Sequence, residues 1–326
     1  MMLQRNNEPL LDVQHLKKYF PVTGSFGRLG GIKGQVKAVN DVSFQLFVGE
    51  TYGLVGESGS GKSTTGRTVL RLTEPTAGQV FYNKENIFDL SKREMRPVRK
   101  DMQMVFQDPF SSLNPRIRIG QTIEEPLVIH SIGNANERRE RVFEMLDKVG
   151  MQSEHYYRFP HEFSGGQRQR LGLARALIVN PKIVICDEPV SALDVSIQSQ
   201  VINLLKEMQA ELNLTYLFIT HDISVVRYIS DRIGVMYLGK LVEEAPTESL
   251  FAEPLHPYTQ ALFSAVPGRG KKRERIVLKG EIPSPLNPPS GCVFHTRCPH
   301  VMDRCKVDIP EKREMSPRHY VACHLY

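Results

Sequence analysis

TYGLVGESGSGKSTTGRTVLRL, residues 51–72, is the stretch that decides the fold of this chain. It begins with a short apolar run that is typical of a buried strand. A loop rich in Gly and Ser follows, and we expect a helix to begin at Lys62. A strand, a Gly-rich loop and a helix in this order are the structural context of a phosphate-binding loop. The stretch therefore predicts a phosphate site at the end of one strand.

The loop has the spacing G-x-x-x-x-G-K-[ST], with Gly56, Gly61, Lys62 and Ser63 at the defined positions. Glycines let the backbone curl so that successive N–H groups and the start of the helix face phosphate oxygens. Lys62 is then expected to reach the terminal phosphates, and the Ser63 hydroxyl to bind Mg²⁺. A structural Gly-rich turn can have the same letters, but the flanking strand and helix favour the phosphate site.

A second acidic position is needed for magnesium and for an attacking water, and IVICDEP at 183–189 supplies it. We expect Asp187 to hold the metal through water and Glu188 to polarise the nucleophile. A capped strand end would not account for two adjacent carboxylates directly after four apolar residues. The pattern favours catalysis.

Apolar periodicity predicts the elements around these motifs. The alternating segment 36–50 predicts strands of a half-exposed antiparallel sheet. From about 110 to 180 the chain is charged and helical, with Val142, Leu146 and Val149 at helical spacing. We interpret this second region as a helical insert.

Further along the chain, short apolar runs alternate with a long amphipathic segment. Residues 182–189 and 214–222 predict buried strands, and residues 196–213 between them predict a helix. Strands alternating with helices imply a parallel sheet that is covered on both faces. Residues 235–246 predict a closing hairpin.

Composition narrows the class of protein. The 326 residues contain no evident secretory signal and no apolar run near membrane-spanning length, so we expect an intracellular protein. The formal net charge of +6 is compatible with nucleic acid, an anionic membrane face or phosphorylated ligands, although a mildly basic solvated surface accounts for it more simply. The basic run GRGKKRER at 268–275 predicts an exposed linker and a boundary near 265–270.

Four more motifs follow the phosphate loop in a fixed order. Gln107 lies in VFQDP, FSGGQRQR occupies 163–170, SALD occupies 191–194, and His221 lies in ITHD. Taken together over residues from about 10 to 265, they make the chain resemble the ATP-binding subunit of an ABC transporter. The resemblance implies an α/β fold with a P-loop NTPase core, an antiparallel β subdomain and an α-helical subdomain, followed by a small Cys-containing C-terminal extension.

The resemblance also implies how the site is assembled. Ser164 and Gly166 open a helix whose N-terminus favours a phosphate, although the chain already has one phosphate loop. The resemblance implies that two such domains pack head to tail, with each expected to complete the other's ATP site. His221 is expected to contact the γ-phosphate and Gln107 to approach the metal and water. Phe20 is expected to stack on adenine, with Tyr19 as one alternative and simple packing of both rings as the other.

By this resemblance the catalytic residues are Glu188, His221 and Gln107. The residues expected to bind Mg²⁺ are Ser63, Gln107 and Asp187. The residues expected to bind ATP are Phe20, Gly56, Glu57, Ser58, Gly59, Ser60, Gly61, Lys62, Ser63, Thr64, Gln107, Ser164, Gly165, Gly166, Gln167, Asp187 and Asp194. We expect an ATP-binding domain over 1–265, with its helical subdomain at about 110–180, and a C-terminal extension over 266–326.

Three further segments, 107–116, 160–170 and 255–267, resemble the subfamily that serves bacterial oligopeptide and dipeptide importers. The C-terminal segment resembles it as well, and the chain is most similar to the F-type ATPase subunit. The resemblance implies a second, homologous ATP-binding subunit, two membrane permease subunits and an extracellular or periplasmic solute-binding protein. It also implies a peripheral location on the cytoplasmic side of the inner membrane.

Other functions remain open at this point. Nickel and other small-solute importers are close relatives of this subfamily. A non-transport ABC protein acting on ribosomes or DNA is a further alternative, but such proteins join two ATP-binding halves or carry long coiled-coil inserts. This chain has one phosphate loop, so we expect no nucleic-acid partner.

The five cysteines fall into two groups. Cys186 lies inside an apolar run and is expected to be a buried small residue, whereas Cys292, Cys298, Cys305 and Cys323 lie near the end of the chain. Disulfides are rare in reducing compartments, so four clustered thiols there favour a metal. Four thiolates suit Zn²⁺ or an iron–sulfur cluster, and reduced thiols in a small lobe remain the alternative. The resemblance implies a [4Fe–4S] cluster. We expect its role to be structural, because the Pro-rich C-terminal segment has little apolar content of its own.

Overall fold

The computed structural model describes residues 8–23, 32–108, 113–265 and 276–326. The chain divides into two compact units, each built from separate segments. The first unit contains residues 46–50 and 89–219, and the second contains residues 9–45, 51–88 and 220–326. The predicted basic linker at 268–275 and the predicted boundary lie outside the described residues, so the domain limits remain a prediction.

The described strands are, in chain order, β1 (Leu11–Thr23), β2 (Ile32–Leu46), β3 (Thr51–Val55), β4 (Ala77–Tyr82), β5 (Glu85–Asn86), β6 (Met102–Val105), β7 (Ile183–Asp187), β8 (Thr215–Ile219), β9 (Arg232–Tyr237), β10 (Lys240–Pro246), β11 (Arg313–Ser316) and β12 (His319–Val321). The described α-helices are α1 (Lys62–Val69), α2 (Met95–Asp101), α3 (Ile119–Ile129), α4 (Ala135–Lys148), α5 (Gly165–Leu177), α6 (Val195–Leu212), α7 (Ile223–Ile229), α8 (Thr247–Ala252), α9 (Pro257–Ser264) and α10 (Asp303–Val307). Two 3₁₀ turns, Ser153–Tyr157 and Pro160–Glu162, precede α5.

The first unit contains the parallel strands β6, β7 and β8, which pair in that order. Every residue of β7 and of β8 is buried, as expected for apolar strands covered on both faces. Helix α3 contacts α4 and α5 in the same unit. Val142, Met145 and Leu146 form the buried face of α4, which confirms the helical periodicity predicted for this segment.

The second unit contains two groups of strands. In one, β1 pairs antiparallel with β4 and β4 pairs antiparallel with β5, in the order β2-β1-β4-β5. In the other, β3 pairs parallel with β9, and β9 forms an antiparallel hairpin with β10. The mixture of parallel and antiparallel strands confirms the predicted α/β class, and β9–β10 confirms the predicted hairpin.

The C-terminal segment, residues 276–326, adds strands to the second unit. Strand β12 pairs antiparallel with β10, and β11 pairs with the other edge of β12. This pairing satisfies backbone groups that would otherwise be exposed at the edge of β10. The sequence predicts a C-terminal extension here but not its strands, because strands of three and four residues are too short to show an apolar period.

The same segment contributes to an apolar cluster of the second unit. Cys292, Phe294 and Cys305 are buried there with Tyr237 and Tyr258, which come from β9 and α9. Aromatic rings of this size bury a large apolar area and dominate the packing of a core. The part of the C-terminal segment around residues 292–294 and 305 therefore contributes to the core of its unit. Among the described residues, no helix is both long and apolar enough to cross a membrane.

Candidate functional site

The loop between β3 and α1 has the backbone conformation that its glycines permit. Gly56 has a φ of 154° and Gly61 a φ of 103°, values that side chains rarely allow. A Cβ at Gly61 would lie 2.1 Å from the carbonyl oxygen of Ala38, and one at Gly56 would lie 2.2 Å from that of Met236. Glycine is thus required at both positions by conformation and by close backbone approach.

Lys62 is the first residue of α1 and is 4% exposed. Its ammonium donates to the carbonyl oxygens of Gly56 at 2.9 Å and Glu57 at 3.0 Å. The Ser60 hydroxyl lies 3.4 Å from the same ammonium. The positive charge is therefore held inside the loop, beside the N-terminus of α1, where anions are favoured.

The remaining loop residues differ in exposure. Ser58 and Gly59 are exposed at the tip of the loop, while Ser63 and Thr64 are half-buried in the first turn of α1. Ser60 is buried, and its carbonyl oxygen accepts a hydrogen bond from the backbone N–H of Gly239 at 2.9 Å. The tip is thus accessible while its base is anchored to the β9–β10 turn.

The acidic pair lies at the end of β7 in the first unit. Asp187 is fully buried, and Glu188 follows it with a φ of 48°, a left-handed conformation that is uncommon for a residue with a side chain. Nε2 of Gln107 donates to Oε2 of Glu188 at 2.9 Å. Two residues predicted to act on the attacking water therefore lie in direct contact. The backbone N–H of Glu188 donates to the carbonyl oxygen of Ile219 at 2.9 Å, which fixes the turn.

His221 is exposed just before α7 in the second unit. The Asp222 carboxylate caps α7 by accepting from the backbone N–H of Ser224 at 2.8 Å. The backbone N–H of Thr220 donates to the carbonyl oxygen of Leu54 in β3 at 3.2 Å. These bonds place the residues around His221 beside the strand that leads into the phosphate loop.

The signature segment FSGGQRQR begins helix α5. Ser164 is the N-cap, and its hydroxyl accepts from the backbone N–H of Gln167 at 3.4 Å. The Gln167 side chain accepts from the backbone N–H of Ser164 at 3.0 Å, which completes a capping box. Ser164 is exposed, while a Cβ at Gly166 would lie 2.4 Å from the side chain of Ile197. The N-terminus of α5 is thus exposed at Ser164, while Gly166 packs closely against Ile197.

The loop SALD follows the acidic pair. Ser191 Oγ donates to the carbonyl oxygen of Glu188 at 3.1 Å, and Asp194 is the exposed N-cap of α6. The carbonyl oxygen of Asp194 accepts from the backbone N–H of Gln198 at 2.8 Å. The loop is therefore tied to Glu188 at one end and to a helix at the other.

The two aromatic candidates at the end of β1 have different surroundings. The Tyr19 hydroxyl donates to Oδ1 of Asn40 at 2.6 Å. Phe20 is 39% exposed, and the ammonium of Lys18 lies 4.8 Å from its ring centroid. The ring of Phe20 is the more accessible of the two.

All five cysteines are free thiols. Cys186 is fully buried in β7, as expected from its apolar surroundings, and burial raises the pKa of its thiol. The pKa of the Cys292 thiol is raised to about 11, mainly by burial and in smaller part by the neighbouring thiols of Cys323, Cys305 and Cys298. The four C-terminal thiols are therefore neighbours of one another.

Backbone N–H groups surround three of these sulfurs. The N–H of His300 lies 3.4 Å from the sulfur of Cys298, and the N–H groups of Phe294 and Leu325 bond to Cys292 and Cys323. Even so, among the described residues no group of three or more His, Cys, Asp or Glu side chains has an arrangement that could hold a metal ion. The described side chains therefore show no ready-made metal site.

Sequence reasoning missed the residues that support the phosphate loop from behind. Arg297 forms two hydrogen bonds to the Glu57 carboxylate, and the Tyr258 hydroxyl accepts from the Glu57 backbone N–H. The Tyr237 hydroxyl lies 3.5 Å from Arg297. These residues are 180 or more positions from Glu57, and no local pattern marks them.

Comparisons with known proteins point to one family. A family model described as "ABC transporter" matches residues 39–191, and one described as "Oligopeptide/dipeptide transporter, C-terminal region" matches residues 242–305. The chain is 58% identical to oligopeptide transport ATP-binding protein AppF of Bacillus subtilis (strain 168), over 100% of both chains. It is 48% identical to dipeptide transport ATP-binding protein DppF of Haemophilus influenzae, over 98% of this chain and 97% of that protein.

Solved structures give the same result. A dimeric ATP-binding cassette in a post-hydrolysis state, bound to ADP and Pi, is 30% identical with a TM-score of 0.65. The match covers 73% of this chain and 98% of that one. Both the fold and the order of its motifs place the chain in one family: it belongs to the ABC transporter ATP-binding proteins.

Proposed function

We propose that this chain is the ATP-hydrolysing subunit that drives peptide import through an ABC transporter. The observation that carries the proposal is the presence, in one chain, of an ABC cassette and of the C-terminal region of oligopeptide/dipeptide transporters. The two relatives described above, named for oligopeptide and for dipeptide transport, match almost the full length of this chain. ATP hydrolysis then supplies the free energy for import.

The residues divide the chemistry between them. Lys62 and the N–H groups of the phosphate loop bind and neutralise the terminal phosphates. Glu188 orients the attacking water. Nε2 of Gln107 donates to Oε2 of Glu188 at 2.9 Å and so fixes the direction of the Glu188 carboxylate. His221 contacts the γ-phosphate, so that positioning and charge neutralisation carry most of the rate enhancement.

Magnesium binding is proposed for Ser63, Asp187 and Gln107. Their hydroxyl, carboxylate and amide groups offer oxygen atoms, the donors that Mg²⁺ prefers. The ion would neutralise charge that develops on the phosphates. Gln107 can contact Glu188 and bind the metal at the same time. Its amide NH2 group donates to Glu188, which leaves its amide oxygen for the metal.

The signature residues are proposed to serve the ATP of a second subunit. Ser164, Gly165, Gly166 and Gln167 form an accessible helix start with a completed capping box. Asp194 is exposed nearby in the same unit. We propose that this subunit pairs head to tail with a homologous ATP-binding subunit, on the cytoplasmic face of the membrane, beneath two permease subunits that receive solute from a binding protein.

Phe20 is proposed to stack on the adenine. Its ring is more exposed than that of Tyr19, whose hydroxyl is occupied by Asn40. An exposed aromatic face gains contact area from a planar base at a small entropic cost. A Phe20→Ala variant is therefore expected to weaken ATP binding more than a Tyr19→Phe variant.

The four C-terminal thiols are proposed to hold a [4Fe–4S] cluster, with Zn²⁺ as the alternative. The donor set suits either group, and N–H groups directed at sulfur are the partners that thiolate ligands take. The sulfurs of Cys292, Cys298, Cys305 and Cys323 have to ionise and draw together on binding, since metal binding and local folding are coupled. The group would supply a structural clip for the C-terminal segment.

Metal content tests this part of the proposal. The full-length protein is purified anaerobically, and its visible spectrum and its iron, sulfide and zinc contents are measured. Broad visible absorbance with comparable iron and sulfide supports the cluster. Zinc alone supports the alternative, and a protein free of both metals overturns the metal centre without touching the ATPase assignment.

Reconstitution tests the transport function. The chain is expressed with its candidate permease and ATPase partners, extracted in detergent, and assayed in proteoliposomes for peptide uptake that depends on ATP. The matched control carries Glu188→Gln. Copurification with permeases and ATP-dependent peptide uptake are expected. Copurification with ribosomes or DNA, or uptake of a nickel chelate in place of peptides, would overturn the peptide assignment.

A further inference from the structure

The phosphate loop is joined to the C-terminal segment by an ion pair. Nη1 and Nη2 of Arg297 donate to the two carboxylate oxygens of Glu57 at 2.8 and 3.2 Å. The Arg297 side chain is 7% exposed and that of Glu57 is 26% exposed. Paired bonds from a guanidinium to a carboxylate fix both the distance and the angle between the groups. The contact therefore constrains where Glu57 can lie.

Glu57 in turn constrains the loop. Its backbone N–H donates to the Tyr258 hydroxyl at 2.8 Å. Its carbonyl oxygen accepts from Nζ of Lys62 at 3.0 Å and from the backbone N–H of Ser60 at 3.2 Å. A displacement of Glu57 would thus displace the ammonium that is proposed to meet the terminal phosphates.

Arg297 is itself held by the core of the second unit. Its backbone N–H donates to the carbonyl oxygen of Phe294 at 3.0 Å. Phe294 is fully buried, and its ring centroid lies 5.2 Å from that of Tyr237 and 5.5 Å from that of Tyr258. The same aromatic group thus packs behind both contacts to Glu57. A rigid support of this kind is what holds a binding group in a fixed geometry.

Charge gives the ion pair a second consequence. Glu57 is an acidic residue within a loop that binds a polyanion, and like charges repel over several ångströms in a partly buried site. Arg297 neutralises that carboxylate at direct contact. Without the guanidinium, the loop would present an uncompensated negative charge beside the phosphates and ATP binding would weaken.

We propose that Arg297 is a positioning residue for the phosphate-binding loop. It holds the loop through Glu57 and neutralises the Glu57 carboxylate. The inference rests on the proposed binding of ATP at this loop. Arg297 belongs to the C-terminal segment and lies between Cys292 and Cys298. The conformation of this segment therefore affects the conformation of the loop, and through it the affinity for nucleotide.

Equilibrium titration of the full-length chain with ATP and Mg²⁺ tests the proposal. Arg297→Gln is expected to raise the Kd for ATP by about tenfold, which corresponds to about 1.4 kcal/mol. Arg297→Lys keeps the charge but loses the paired geometry, so an intermediate Kd is expected. The double variant Glu57→Gln, Arg297→Gln removes both charges but does not restore the paired geometry. It is therefore expected to recover only the part of the affinity that is lost to charge repulsion.

The control is Arg304→Gln, which removes an exposed arginine of the same segment and is expected to leave the Kd unchanged. Thermal unfolding of each variant is measured in parallel, because a purely structural role for Arg297 would lower the Tm without charge-dependent recovery of the Kd. An unchanged Kd in Arg297→Gln, or a double variant as weak as the single one, would overturn the inference. If Arg297→Gln does not fold, Arg297→Lys and the double variant decide. A wild-type chain that fails to bind ATP would instead overturn the proposed function.

Discussion

Nε2 of Gln107 lies 2.9 Å from Oε2 of Glu188, although the two residues are 81 positions apart. Glu188 also has a left-handed backbone, with a φ of 48°. Strained backbone of this kind persists where the surrounding structure over-determines it, and such positions cluster at functional sites. We therefore propose that the attacking water is oriented at the end of β7.

Glu188→Gln should abolish turnover while ATP binding persists. The amide keeps the size of the side chain but cannot polarise water, and general-base assistance is worth about 100-fold or more. ATP hydrolysis is measured by phosphate release, and binding by titration. Glu140→Gln, on the exposed face of α4, is the matched control. Normal hydrolysis by Glu188→Gln would contradict the assigned role.

Gln107→Ala should lower kcat by less than Glu188→Gln does, because it removes only the group that orients the carboxylate. The double variant should be no slower than Glu188→Gln alone, since the two residues act as one unit and their effects are not additive. Steady-state kinetics of the three variants check this. Independent, multiplicative losses would show that Gln107 does not act through Glu188.

Ser164→Ala should destabilise the start of α5 by about 1 kcal/mol through loss of the N-cap. It should also lower ATP turnover in the assembled transporter, because the same hydroxyl is proposed to serve the partner's ATP. Asn134→Ala removes the capping box of α4 and is the matched control for stability. Equal loss of turnover in both variants would show that Ser164 acts only as the N-cap of α5.

Glu243→Gln should lower the free energy of unfolding by about 3 kcal/mol. The substitution removes a buried carboxylate that accepts several hydrogen bonds. Glu243 is 1% exposed and accepts from the backbone N–H groups of Leu255 and His256, and it lies 2.8 Å from Nε2 of His319. Urea unfolding measures the change. Glu248→Gln, an exposed neighbour, should leave stability unchanged, and equal values for both variants would contradict the prediction.

His256 should make stability depend on pH. Burial lowers the pKa of its imidazole from 6.5 to about 4, so the unfolded chain takes up a proton first as the pH falls. The stabilising contribution is complete above pH 6.5 and is lost as the pH falls to about 4, a total of about 3 kcal/mol. Urea unfolding at several pH values is compared with His256→Asn, which keeps an N-cap for α9 but does not titrate. Parallel pH profiles would show that His256 is not the group responsible.

Much of the site can be predicted from the sequence because its chemistry is local. Gly56, Gly61 and Lys62 lie within seven positions, and the conformation and phosphate affinity of such a loop follow from glycine geometry and a helix N-terminus. The capping box of Ser164 and Gln167 is likewise a spacing of three residues. The apolar runs of β7 and β8 indicate buried parallel strands by themselves.

What the sequence by itself determined is therefore the set of local motifs, the alternation of strands and helices, and through them the family. Only the tertiary structure decided that Arg297 meets Glu57, that Gln107 meets Glu188, and that β12 extends the edge of β10. These contacts join residues separated by 76 to 240 positions. They depend on strand order and on core packing, which arise when distant apolar surfaces are buried together. Periodicity along the chain does not predict which distant residues come into contact.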